Sequence, residues 1–217
     1  MKKILITGST GFIGSAIYNK LNNQHAVYRF NRNNLYEHVD KNFDVIIHCA
    51  ANPVIRDGSS SVWDSNVKLT HSILETFTRK HIVKPKFINI SSIAVYGIYP
   101  KSSPPYETSV CRPESVYGMS KLASEFLVND YHKKSEINGI SLRLGGVCGK
   151  NMTHGILKKI INSFKNNDEY IEFINPSPGN DMSYIHINNV ANLVEHLVIT
   201  DELHYKNQKI LNVTSTK

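Results

Sequence analysis

Lys3-Ile-Leu-Ile-Thr7-Gly8-Ser-Thr-Gly11-Phe-Ile-Gly14 is a short apolar run followed by three glycines spaced G-x-x-G-x-x-G. Apolar residues then recur at helical spacing through Ile17 and Leu21, so the stretch predicts a strand, a tight turn and a helix. Glycines at such a junction permit the turn, let a diphosphate approach backbone N–H groups, and let the helix pack closely on the strand. We therefore predict that a dinucleotide binds at this turn, at Gly8, Thr10, Gly11, Phe12, Ile13 and Gly14.

The alternation of strand and helix continues along the chain. Further strands are predicted at Ala26 to Phe30, Val45 to His48, Phe87 to Ile90, Ile140 to Leu144 and Lys209 to Val213. Helices are predicted at Val62 to Lys80, Tyr117 to His132, Ile156 to Phe164, and His186 to Ile199, the last capped by Asn188 or Asn189. Near-continuous apolar strands between helices indicate an α/β fold with a doubly wound parallel sheet covered on both faces. Residues 1–149 are predicted to form the main domain, and residues 150–217 a small extension interleaved with it.

Length and composition exclude several classes of protein. The chain has 217 residues, of which 41% are hydrophobic and 20% charged, a composition typical of globular proteins. Since no apolar run approaches the ~20 residues of a membrane span, we expect no membrane partner and no signal peptide. The net charge of +7 is scattered, so we expect no nucleic-acid partner. Three cysteines without C-x-x-C spacing predict neither a disulfide framework nor a zinc or other metal site, and fit the cytoplasm.

The end of the second predicted strand bears on which dinucleotide binds. A carboxylate commonly holds the adenosine ribose there, but this chain reads Val27-Tyr-Arg-Phe-Asn31-Arg32. Asn31 stands where the acid is expected, and the guanidinium of Arg32 could pair with a 2′-phosphate. We predict NAD(P) as the cofactor, with NADP favoured over NAD, and place Asn31 and Arg32 among the cofactor-binding residues.

Four further motifs follow in order: Asp44-Val-Ile-Ile-His48-Cys-Ala50-Ala51, Asn66-Val67, Ser91-Ser92-Ile-Ala-Val-Tyr-Gly97 and Tyr117-Gly-Met-Ser-Lys121. With the glycine turn, they make the chain from Lys2 to about Val213 resemble the extended short-chain dehydrogenase/reductase family, in its NAD-dependent epimerase/dehydratase group. The resemblance implies a Rossmann-like fold with a shortened C-terminal substrate region. It also implies cofactor contacts at Ala50, Ala51, Asn66, Tyr117 and Lys121.

Tyr117 and Lys121 are four residues apart, so on a helix their side chains lie on one face. A phenol of ordinary pKa near ~10 must become more acidic to exchange a proton at neutral pH, and the nearby ammonium of Lys121 is expected to lower the pKa of Tyr117. By resemblance, Lys121 also holds the nicotinamide ribose and Ser92 hydrogen-bonds the reacting substrate oxygen. We predict Tyr117, Lys121 and Ser92 as the catalytic residues of a hydride transfer.

The resemblance implies an NAD(P)-dependent epimerase or ketoreductase acting on a nucleotide-linked sugar, and a homodimer formed through the two long helices. Ile93 and Ala94 stand where the family's dehydratases have Asp-Glu, which disfavours a 4,6-dehydratase. Two alternatives stay open. Gly146, in place of a family asparagine, and the shortened C-terminal region suggest reduction of a non-sugar carbonyl. The short length also suggests a truncated NAD(P)-binding protein with little turnover.

Overall fold

The computed structural model describes residues 1–30, 40–53, 60–78, 84–100, 102–153, 155–168, 170, 183–200 and 209–215. The strands of the main sheet are β1 (Lys3–Thr7), β2 (Ala26–Phe30), β3 (Val45–His48), β4 (Lys86–Ser92), β5 (Asn138–Leu144) and β8 (Ile210–Val213). A small second sheet consists of β6 (Gly146–Cys148) and β7 (Tyr184–His186). The helices are α1 (Phe12–Leu21), α2 (Ser60–Trp63), α3 (Leu69–Thr78), α4 (Val116–Lys133), α5 (Ile156–Asn166) and α6 (Ile187–Ile199).

The main sheet has the strand order β2-β1-β3-β4-β5-β8, and every neighbouring pair is parallel. The chain leaves β1 for β2 on one side and returns to place β3 on the other side of β1. In open parallel sheets, ligands bind outside the carboxyl ends of the strands where the strand order reverses in this way. The topology therefore places a crevice above β1 and β3, next to the glycine turn, and confirms the predicted doubly wound sheet.

Alternate residues of the central strands face two separate cores. Ile4, Ile6 and Ile47 point to the side covered by α1 and α6, where Ile17 and Val194 pack against them. On the opposite side, Leu5, Ile46 and Phe87 pack with Ile73, Leu74 and Phe77 of α3 and with Val128 and Tyr131 of α4. Burial on both faces explains why these strands are almost continuously apolar.

The long helix predicted at Val62 to Lys80 contains a π-helical turn at Asp64–Lys68, between α2 and α3. The reason lies in the backbone carbonyl of Asn66, which accepts hydrogen bonds from the hydroxyls of Thr70, at 2.5 Å, and Ser124, at 3.0 Å. Side-chain donors that enter the backbone ladder in this way distort a helix locally. Lys80 itself lies outside the described residues.

Two elements from the C-terminal part of the chain pack with the main sheet and its helices. α6 packs on α1, and β8 extends the sheet beyond β5. The predicted cap of α6 was wrong: the N-cap is His186, whose Nδ1 accepts from the backbone N–H of Asn188 at 3.2 Å. The domain boundary at residue 149 stays a prediction. Among the described residues, the helices are too short or too polar to cross a membrane.

Candidate active site

The glycine turn connects β1 to α1 and lies against the end of β3. Gly8 has φ +65, a conformation that favours glycine, and a Cβ there would lie 2.7 Å from both the Cα and the N of Ala50. Gly11 donates to the carbonyl of Gly8 at 3.0 Å and is the N-cap of α1. A glycine cap has no side chain to bond the first N–H groups of the helix, which leaves them for an anion.

The residues predicted to bind the dinucleotide at this turn differ in their exposure to solvent. Thr10 and Gly11 are exposed, Phe12 and Ile13 are half-buried, and Gly14 is buried. A Cβ on Gly14 would collide with the carbonyl of Gly8, so Gly14 permits the close packing of α1 on the turn. The exposed part of the turn thus presents backbone at the crevice, which is the geometry that a diphosphate needs.

Ala50 and Ala51 follow β3 at the same edge of the sheet. Ala50 is half-buried and donates its N–H to the Thr7 hydroxyl at 3.2 Å, whereas Ala51 is exposed. Asn31 and Arg32, the residues on which the NADP preference depends, lie outside the described residues.

Ser92 and Tyr117 come from different elements and meet at this edge. Ser92 ends β4 and begins a 3-10 turn (Ile93–Val95), where its hydroxyl accepts from the N–H of Ala94 at 3.2 Å. Tyr117 lies in the first turn of α4, which is capped by Ser115. The side chain of Ser92 lies close enough to the phenol of Tyr117 to influence its pKa. The structure therefore brings the two predicted hydroxyl groups together.

Lys121 lies one turn after Tyr117 and is 4% exposed. Its Nζ donates to the carbonyl of Ile90 at 2.7 Å and lies 6.0 Å from the centre of the Tyr117 ring. Burial lowers the pKa of Lys121 to about 8, while the nearby Cys49 and Glu125 act in the opposite direction. Burying the charged ammonium therefore costs free energy of folding. Its Nζ nevertheless stays near the ring of Tyr117.

The pKa of Tyr117 differs from the expectation. Burial raises it above its ordinary value, and only the neighbouring Ser92 acts to lower it. The Lys121 ammonium is directed to the Ile90 carbonyl, so it does not acidify the phenol in this structure. Tyr117 is therefore protonated at neutral pH.

Asn66 was predicted to contact the cofactor, but its side chain is 2% exposed and bonded within the protein. Its Oδ1 accepts from the N–H of Asn52 at 2.7 Å, and its Nδ2 donates to the carbonyl of Asn52 at 3.2 Å and to the Ser120 hydroxyl at 2.8 Å. Since both amide hydrogens are used, Asn66 connects the segment after β3 to α4 instead of presenting a free donor.

The sequence did not predict a buried ion pair that lies beneath the site. Glu125 of α4 binds Arg143 of β5, with Oε2 2.7 Å from Nη2, and accepts from the Ser91 hydroxyl at 2.5 Å. Burial alone would lower the pKa of Arg143, but the hydrogen bonds and charge of Glu125 raise it above its ordinary value. Helical spacing could have indicated Glu125, four residues after Lys121.

Among the residues that the structure describes, neither a disulfide nor a metal centre lies near the site. Cys49, Cys111 and Cys148 are all free thiols. In the described part of the chain, no group of three or more His, Cys, Asp or Glu side chains is arranged to hold a metal ion.

The chain is similar to a known protein family and to individual members of it. Residues 4–213 match the model of the NAD-dependent epimerase/dehydratase family. A dTDP-D-glucose 4,6-dehydratase of Dictyostelium discoideum is 27% identical, over 94% of this chain and 57% of the relative. A D-erythronate dehydrogenase of Haemophilus influenzae is 28% identical, over 67% of this chain and 55% of the relative. The chain thus spans little more than half the length of these two proteins.

Solved structures resemble the whole chain. A UDP-glucuronic acid 4-epimerase from Bacillus cereus, in complex with UDP-glucuronic acid and NAD, has a TM-score of 0.81 at 24% identity, covering 99% of this chain and 78% of its own. RMD from Pseudomonas aeruginosa, complexed with NADPH, has a TM-score of 0.80 at 18% identity, covering 100% and 79%. At such identities the likeness establishes the fold alone.

Proposed function

This chain belongs to the NAD-dependent epimerase/dehydratase family, and from that premise we propose that it is an NAD(P)-dependent epimerase or ketoreductase of a nucleotide-linked sugar. The observation that carries the proposal is the meeting of Ser92, Tyr117 and Lys121 at the carboxyl edge of the sheet, on the side of the glycine turn. Two hydroxyl groups and one buried ammonium around one crevice form a set that can move a proton to or from a substrate oxygen.

The residues present fit a dinucleotide. Gly8 lets the turn pack against the backbone of Ala50, Gly11 begins α1 without a side chain, and the N-terminus of α1 supplies N–H groups for the diphosphate. Ala50 and Ala51 line the next strand end with small side chains, and Lys121 would hold the ribose next to the nicotinamide. When bound, the nicotinamide supplies the hydride chemistry that no side chain can provide. The preference for NADP rests on Asn31 and Arg32 in the sequence.

The protonation states favour proton donation by Tyr117. Because burial raises its pKa, the phenol holds its proton at neutral pH and can give it to a carbonyl oxygen as that carbon is reduced. Ser92, beside the phenol, polarises the same oxygen. In the direction of oxidation Tyr117 must first lose this proton, and the ammonium of Lys121 would stabilise the phenolate.

The test begins with ligand binding. Sugar nucleotides and both dinucleotides are screened for those that raise the melting temperature, since a ligand of the native state stabilises it. With the substrate found, Tyr117→Phe is expected to lower kcat/KM by about 10²–10⁴-fold while dinucleotide binding persists. Tyr106→Phe, at an exposed tyrosine, is the matched control and should leave activity unchanged. Full activity of the Tyr117→Phe variant would refute the proposal, as would dinucleotide binding by the unaltered protein without turnover of any sugar nucleotide.

A second candidate, reduction of a non-sugar carbonyl, is favoured by Gly146. The ring of Tyr184 lies so close that a Cβ on Gly146 would be 2.7 Å from its Cδ1 and Cε1. The aromatic ring of Tyr184 thus occupies the space that the family's asparagine side chain would need at Gly146. Turnover of small hydroxy acids or ketones without turnover of any sugar nucleotide would favour this candidate. Steady consumption of the dinucleotide would separate either reductase from an epimerase.

A further inference from the structure

His48 ends β3 and is 2% exposed, and both of its ring nitrogens are hydrogen-bonded. Nδ1 lies 2.7 Å from the hydroxyl of Thr7, at the end of β1. Nε2 lies 2.9 Å from the hydroxyl of Thr70, in α3. The imidazole of His48 therefore links the end of β1 in the sheet to α3 in the helix layer that covers one face of the sheet.

The partners fix the direction of these bonds. The hydroxyl of Thr70 donates its single hydrogen to the carbonyl of Asn66 at 2.5 Å, so its oxygen must accept from the Nε2–H of His48. In a neutral ring Nδ1 is then the acceptor, and the hydroxyl of Thr7 donates to it. The oxygen of Thr7 in turn accepts the N–H of Ala50 at 3.2 Å. All four hydrogen bonds therefore run in one direction, from the N–H donor of Ala50 to the carbonyl acceptor of Asn66.

The ring is held in its neutral form. Burial and the charge of Lys121 lower the pKa of His48 to about 3. A protonated ring would carry a hydrogen on Nδ1 and turn the hydroxyl of Thr7 from donor to acceptor. The directional chain therefore persists throughout the neutral pH range.

The chain continues from Asn66 to the helix that carries the tyrosine. Nδ2 of Asn66 donates to the hydroxyl of Ser120 at 2.8 Å, and Ser120 donates to the carbonyl of Tyr117 at 2.7 Å. A displacement at the end of β3 would thus be transmitted through the π-helical turn to the first turn of α4.

We propose that His48 is a positioning residue that fixes the strand ends carrying Thr7 and Ala50, where the dinucleotide lies, relative to the π-helical turn and the first turn of α4. The proposal rests on the proposed function, because it takes the dinucleotide to lie between the glycine turn and Tyr117. His48 itself touches neither substrate nor cofactor, since its ring is enclosed and both nitrogens are engaged.

Two substitutions separate the two halves of the bridge. His48→Asn keeps an acceptor near the position of Nδ1 but loses the donor toward Thr70. His48→Gln reaches farther and keeps a donor toward Thr70 but loses the acceptor for Thr7. Because either variant breaks one link, each is expected to weaken binding of NADP⁺ or NAD⁺, whichever the unaltered protein binds, about tenfold by calorimetry well below the melting temperature.

Thr70→Val and Thr78→Val form a matched pair in α3. Both residues are buried, and both hydroxyls donate to the carbonyl four residues earlier, Thr70 to Asn66 and Thr78 to Leu74. Only Thr70 also contacts His48. Thr70→Val is expected to weaken dinucleotide binding about tenfold and Thr78→Val to leave it unchanged, although both lower stability.

Nitrogen-15 magnetic resonance of the unaltered protein provides a readout that does not depend on the folding of any variant. It should show His48 with a hydrogen on Nε2 and none on Nδ1. A hydrogen on Nδ1, or dinucleotide affinities of folded His48→Asn, His48→Gln and Thr70→Val equal to those of the unaltered protein, would overturn the proposal. Failure of the unaltered protein to bind either dinucleotide would instead overturn the proposed function.

Discussion

Lys121 is a buried cation, and burying its charge lowers the free energy of unfolding of the protein. It is 4% exposed, and its ammonium has the carbonyl of Ile90 as a hydrogen-bond partner. Burial lowers its pKa from 10.5 to about 8, in spite of the opposing influence of Cys49 and Glu125. Replacing Lys121 with methionine keeps much of the side chain and removes the charge, so the variant should be more stable than the unaltered protein while losing activity.

The magnitude follows from the pKa. Each tenfold change in an acid dissociation constant is worth about 1.4 kcal/mol, so lowering the pKa of Lys121 to about 8 corresponds to roughly 3 kcal/mol at neutral pH. The unfolded chain binds the extra proton between pH 8 and 10.5, so the stability of the unaltered protein rises with pH in that window. Lys121→Met lacks this titration, and its advantage should shrink by the same roughly 3 kcal/mol as the pH rises.

Urea unfolding of both proteins between about pH 7 and pH 10 measures the effect. Lys133→Met, at an exposed lysine of the same helix, is the control and should show no such pH-dependent difference. The pH-dependent part is the decisive quantity, because leaving the carbonyl of Ile90 unpaired subtracts a constant amount from the advantage of the variant. A stability difference between Lys121→Met and the unaltered protein that does not change with pH would show that the burial argument is wrong.

Four other substitutions test separate parts of the fold, one of them as a control. Glu125→Gln removes the charge that compensates buried Arg143 and should lower the free energy of unfolding by about 3 kcal/mol in urea titration; unchanged stability would contradict this. Gly8→Ala should abolish dinucleotide binding in calorimetry, because φ is +65 and the Cβ would meet backbone at 2.7 Å. Gly155→Ala, at φ +100 with no atom of the described residues within 4 Å of the Cβ, should cost only about 1 kcal/mol of strain and leave binding intact. Lys86→Met leaves two carbonyls at the end of α6 without their ammonium donor, at 2.6 and 2.5 Å, and should lower the melting temperature.

The features that sequence predicts best here are local. The strand and helix that flank Gly8 and Gly11 follow from hydrophobic period and from glycine at a turn, and the structure confirms them. The spacing of Tyr117 and Lys121 places them on one face of a helix whatever that helix packs against. Such patterns depend on bonds within one element, which a short stretch of sequence specifies.

The contacts between elements could not be read from the sequence. Asn66 gave no sign that its amide would be enclosed by Asn52 and Ser120, because those partners come from other parts of the chain. The pKa of Tyr117 rises through burial, which depends on everything packed around it, whereas the spacing to Lys121 alone suggests the opposite. The ion pair between Glu125 and Arg143 and the neutral state of the His48 ring likewise depend on how the helices pack on the sheet.

The pairing of β8 with β5 has a consequence for synthesis on the ribosome. Strand β8 (Ile210–Val213) completes the sheet beside β5 (Asn138–Leu144), and residues 145–209 are translated between them. During that interval the N–H and C=O groups along one side of β5 lack their strand neighbour and can pair with the edge of another nascent chain. Slow translation through residues 145–209 would therefore lengthen the period in which the growing polypeptide can aggregate.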